Sequence, residues 1–89
     1  METLWVDFNN MGIEGVRLSC NGTQQEIKDK GLVLFDGLKL LVWYVDEYED
    51  GSTDKLSAEV IVKYSDIDKC WIGQINSNGI QLESSKPSE

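Results

Sequence analysis

The segment Leu38-Lys39-Leu40-Leu41-Val42-Trp43-Tyr44-Val45 carries large apolar side chains at both even and odd positions. Read as a strand, it sets Leu38, Leu40, Val42 and Tyr44 on one face. Leu41, Trp43 and Val45 then emerge on the other, beside Lys39. A strand that is greasy on both sides needs cover on both sides, and that requirement limits what the chain can build.

The flanking segments alternate in the ordinary way of half-buried strands. Leu4, Val6 and Phe8 point one way and Trp5 and Asp7 the other, and Val16, Leu18 and Cys20 repeat the pattern. From 56 to 64, Leu56, Ala58, Val60, Val62 and Tyr64 face inward, with Ile61 the apolar exception on the outward side. Residues 70–76 form another strand, and Ile80 with Leu82 adds a last short pairing. Asn9–Gly12, Asn21-Gly22, Asp36-Gly37, Ser65–Lys69 and Asn78-Gly79 supply turns. One helix is predicted near 23–30. Thr23-Gln24-Gln25-Glu26 matches a capping box, Lys28 and Lys30 suit the negative helix end, and Gly31 suits a left-handed cap. Only Ile27 is apolar within it, so the helix must dock on the sheet.

Five to six short strands in hairpin order with one helical insertion predict a mainly β fold, a small antiparallel SH3-like barrel or roll. Closure would hide sheet edges that so small a domain can ill expose. At 89 residues the chain is one domain, expected over 1–82 with a flexible polar tail at 83–89. No apolar stretch approaches the length of a membrane span, and the opening residues lack a basic start and an apolar core. The chain is therefore expected to be cytoplasmic and away from membranes. Cys20 and Cys70 are expected to be reduced and buried.

Trp5-Val6-Asp7-Phe8-Asn9-Asn10-Met11, Gly15-Val16-Arg17-Leu18 and Gly22-Thr23 resemble segments of a set of short bacterial proteins of unknown function. Gly37-Leu38-Lys39-Leu40 and Cys70-Trp71-Ile72-Gly73-Gln74-Ile75 are similar as well. The strand pattern also resembles SH3-like barrels. Neither resemblance implies a catalytic residue, and an SH3-like fold hosts peptide, nucleic-acid and assembly roles alike.

Composition narrows the function. With no histidine, the chain lacks the commonest general base and transition-metal ligand, and a Ser–His or Cys–His pair cannot form within it. Two cysteines cannot complete a zinc site, and no phosphate-binding glycine motif is present. No cofactor, metal or catalytic residue is expected. Asp46 to Asp54 invites a calcium reading, but Tyr48 and Ser57 occupy ligand positions and no helices flank the stretch. A solvated hairpin loop is the expectation there. The net charge of −8 opposes non-specific nucleic-acid binding. Stacking of single-stranded nucleic acid on Trp5 or Trp71 meets the same opposition.

What remains is the outer face. Leu41, Trp43 and Val45, joined by Ile61 from the neighbouring strand, form an apolar patch too large for the short helix to cover. The expectation is a non-enzymatic interaction or assembly module that dimerises or binds a protein partner through these four residues, with Trp43 as anchor. Alternatives are an acidic mimic of nucleic acid, favoured by charge, and a small enzyme using a carboxylate pair.

Overall fold

The doubly apolar segment becomes the centre of the sheet. In the computed structural model, which describes residues 1–83, β3 (Lys39–Glu47) has a neighbour on each edge. On one side it pairs antiparallel with β4 (Thr53–Ser65), in an unbroken register from Lys39 opposite Ile61 to Glu47 opposite Thr53. On the other it pairs with β1 (Glu2–Trp5), Leu4 opposite Val42 and Trp5 opposite Trp43. Beyond β4 lie β5 (Cys70–Ile75) and β2 (Val16–Arg17), giving the path β1-β3-β4-β5-β2, and β6 (Gln81–Leu82) adds to β4 beside Leu56 and Ser57. α1 (Asn21–Lys30) is the one α-helix among the described residues.

The fold is mainly β, as the alternation predicts, but two expectations are corrected. The β1–β3 pair is parallel, so the sheet is not wholly antiparallel. A parallel pair needs a long crossover, and the chain provides one through β2 and α1 between Trp5 and Lys39. The sheet is also not a closed barrel, because no ladder joins β1 to β2. The expected tail from 83 lies, apart from Glu83 itself, outside the described residues.

α1 does the work that closure would have done. The Trp5 amide donates to Glu26 Oε2 at 2.6 Å, and the Thr23 hydroxyl donates to the Trp5 carbonyl at 2.9 Å. Lys30 Nζ donates to the Thr3 carbonyl at 2.6 Å. These side chains occupy the free edge of β1, whose other edge faces β3 through the Val6 amide on the Trp43 carbonyl. From the same helix, Gln24 Nε2 donates to the Leu18 carbonyl, just past β2, at 2.6 Å. The helix thus bridges the two ends of the sheet with side chains.

That employment explains why the predicted capping box is absent. The N-cap is Cys20, without a side-chain cap, and Thr23 and Glu26 are turned to Trp5 instead. The C-terminal reading holds: Gly31 is left-handed at φ 64°, and its amide bonds back to Lys28. Gly22 is required for a different reason, since a Cβ there would lie 2.7 Å from the Trp5 ring.

The core lies on the inner face, where Leu40, Val42, Val60 and Val62 meet Leu4, Val6, Val16 and Leu18, and Ile27 of α1 packs against them. Among the described residues no helix is long and apolar enough to cross a membrane.

Thr23 is wholly buried. Thr23→Val keeps its shape but strips the Trp5 carbonyl of its side-chain donor, and should cost about 1–3 kcal/mol. Gln25→Ala, which removes an exposed bond to Asp29, should change stability by less than about 0.5 kcal/mol. Denaturant midpoints of the two variants check the contrast.

Candidate interaction face

Because side chains alternate and directly opposed residues share a face, the β3–β4 register assigns the outer face row by row. Lys39 lies beside Ile61, Leu41 beside Glu59, Trp43 beside Ser57, Val45 beside Lys55, and Glu47 beside Thr53. Leu41, Trp43 and Val45 therefore share one face, as their spacing predicts, and Ile61 lies on that face at its far end. Val45 and Ile61 are 44% and 42% exposed, while Leu41 and Trp43 are half-buried at the centre.

The face is less greasy than the sequence suggests. Ile61 has Lys39 as its row partner, and Glu59 separates it from Ser57 along β4. Lys55 Nζ sits 5.1 Å from the centre of the Trp43 ring, a cation–π contact worth about 0.5–1 kcal/mol at an exposed site. Glu59 accepts from Asn76 Nδ2 at 2.9 Å. Shallow grooves border the central row: Thr3 and Glu83 complete one with Trp43 and Lys55, and Asn78 and Gln81 complete another with Leu41 and Glu59. Lys39 and Glu59 follow from the alternation of their own strands, and Glu47 and Lys55 are the members that sequence reading missed. Their odd numbers match those of Leu41 and Trp43, but only the hairpin register turns that parity into a shared surface.

A second exposed apolar group lies elsewhere. Phe35 and Tyr64 are about half exposed, and Tyr64 meets Trp71 edge-on at 5.5 Å between ring centres. Asp36 fastens this corner by accepting from the Tyr64 amide.

The acidic stretch is a hairpin whose two ends are strand. β3 runs on to Glu47 and β4 begins at Thr53, leaving a tip closed by the Tyr48 amide on the Ser52 carbonyl. Asp46 and Asp54 stand directly opposite each other. Partial desolvation, then the carboxylates of Asp54 and Asp46, hold the Tyr48 hydroxyl above its ordinary range. Asp50 accepts from the Ser52 hydroxyl and amide, which lowers its pKa. Among the described residues no three Cys, Asp or Glu side chains gather in a metal-binding group.

At the opposite edge, ion pairs hold the 9–17 hairpin. Arg17 bonds Asp68 Oδ1 through Nε and Nη2, and Lys63 pairs with Glu14. Ser65 donates to Glu14 and accepts from the Asp68 amide. Cys20 and Cys70 are free thiols and only half-buried, where full burial was expected.

No family model, curated protein or solved structure matches the chain.

The Lys63 hydrogen bond is the main cause of a lowered Glu14 pKa. A carboxylate depressed on folding stabilises above its unfolded pKa, about 4.3, and that contribution is lost as pH falls through the folded value. Glu14→Gln should therefore melt below wild type at pH 7, and the gap should close in acid below about pH 4. Thermal melts across that range check it.

Proposed function

We propose that this chain is a non-enzymatic interaction module whose working surface is the outer face of β3 and β4. The observation that carries the reading is the half-buried Leu41–Trp43 centre with exposed Val45 and Ile61 on the same face. β3 is held on both edges over Leu40 to Trp43, so the surface sits on well-supported backbone. An aromatic anchor ringed by charged and polar residues is the composition of a protein-binding hot spot. The partner is a folded protein surface, either another protein or this chain itself.

Two other readings draw less support. Mimicry of nucleic acid calls for unpaired acids along one edge. The hairpin carries Asp46, Glu47, Glu49, Asp50 and Asp54, yet Asp50 is bonded to Ser52, and Glu14, Glu26 and Asp68 are paired with Lys63, Lys30 and Arg17. A carboxylate enzyme needs two acids in one cleft, and each groove on the face takes a single acid, Glu59 or Glu83. Membership of the short bacterial set and a cytoplasmic setting are proposed alongside, on the motifs from Trp5 to Ile75 and on the two free thiols.

A photo-crosslinking residue placed at Ile61, on the face, or at Gln25, on the helix, tests this in cells that express the chain. Adducts are expected from position 61, weakened by a second change, Trp43→Glu, and absent from position 25. Equal adducts from both positions, or none from 61, would remove the basis for the assignment.

A further inference from the structure

We infer that the occupant of this face is a second copy of the same chain, stacked sheet on sheet about a two-fold axis crossing β3 at Trp43 and β4 at Ser57. The inference depends on the β3–β4 face being an interaction surface and adds the partner and its register.

The pattern of the face is self-complementary. Its outer positions read Lys39, Leu41, Trp43, Val45 and Glu47 along β3, and Thr53, Lys55, Ser57, Glu59 and Ile61 along β4. Consider a two-fold lying in the interface, perpendicular to the strands, through the Trp43–Ser57 row. It lays each strand antiparallel over its own copy. Leu41 then faces Val45, Trp43 faces Trp43, Lys39 faces Glu47 and Lys55 faces Glu59. Every charge among the ten positions meets its opposite, each pairing off the axis occurs twice by symmetry, the apolar residues of β3 meet one another, and Ile61 lies over Thr53.

The other in-plane axis, parallel to the strands and between them, lays β3 over β4. Row partners then face each other, so Leu41 meets Glu59 and Val45 meets Lys55. Lys39, Lys55 and Glu59 would each be buried against a hydrocarbon side chain, and no charge would meet its opposite, which costs desolvation without a partner. The charge order selects the first axis.

Aligned sheets cross at about 30°. With a rise of about 3.3 Å per residue, that rotation displaces the Lys55–Glu59 row by about 3 Å and the Lys39–Glu47 row by about 7 Å. The inner pair is therefore the more firmly placed. The shared rows of β3 and β4, with β1 and β6 along part of their edges, cover about 400 Å² of sheet per copy, at the small end for interfaces, so the dimer should be weak and form at about ten micromolar. The rival occupant is the segment that follows Glu83. Glu83 borders the groove beside Trp43, but Ser84-Ser85-Lys86-Pro87-Ser88-Glu89 brings no large apolar side chain to fill it.

Sedimentation of the full chain at tens of micromolar tests the inference with Lys55→Glu, Glu59→Lys and an equimolar mixture of the two. Wild type should be dimeric. Each variant alone opposes like charges and should associate at least about tenfold more weakly. In the mixture every inner pair is again opposite in sign, so a heterodimer should return to near wild-type affinity, a rescue that misfolded variants could not give. A monomeric wild type overturns the inference, as does a mixture that stays monomeric while wild type dimerises. Dimerisation only after truncation at Glu83 overturns it in favour of the segment that follows. Crosslinks from position 61 surviving any of these failures would leave the face an interface for a different protein.

Discussion

The backbone of Trp5 is the point on which the fold turns. An edge strand leaves one row of amides and carbonyls without partners, and a buried group so left costs about 1–3 kcal/mol. Here Glu26 takes the Trp5 amide, Thr23 serves the Trp5 carbonyl and Lys30 serves Thr3. With that edge occupied by side chains, β1 can lie parallel beside β3 without inviting another strand. With β1 in place, β3 becomes central, and its second apolar face becomes a surface rather than an edge. The ring of Trp5 lies on the helix at Gly22, so the residue is fixed through both its backbone and its side chain.

Much of this was legible in the sequence, and what was not shares one cause. Alternation in 38–45 and 56–64 shows which side chains share a face, because period two is a local property of extended chain. The Thr23–Glu26 spacing is equally local, and there it misleads. The same two residues that could cap a helix are drawn off by a strand about twenty residues away, and the tertiary bonds win over the local ones. The parallel pairing of Trp5 with Trp43 has no local signature at all. Neither do the contacts of Arg17 with Asp68 and Glu14 with Lys63, which join segments about fifty residues apart. The candidate face shows the same division. Leu41, Trp43 and Val45 follow from parity, whereas the places of Glu47 and Lys55 require the register across a hairpin whose acidic residues read as loop.

The placement of charge connects fold to assembly. The ten outer positions of β3 and β4 hold two lysines and two glutamates, so this face is locally neutral on a chain of net charge −8. The excess acid lies elsewhere, conspicuously at the tip beyond Asp46 and Asp54. Copies approaching in most orientations meet like charge and repel, an ordinary protection against non-specific association. Copies approaching face to face meet a neutral, self-complementary surface with a tryptophan at its centre. A uniformly apolar face would associate in many registers and with many partners. Charges at fixed rows cost some affinity through desolvation and in exchange exclude every register in which lysine meets lysine or glutamate meets hydrocarbon. On this surface the acids and bases determine orientation, and the Leu41–Trp43–Val45 stripe supplies the attraction.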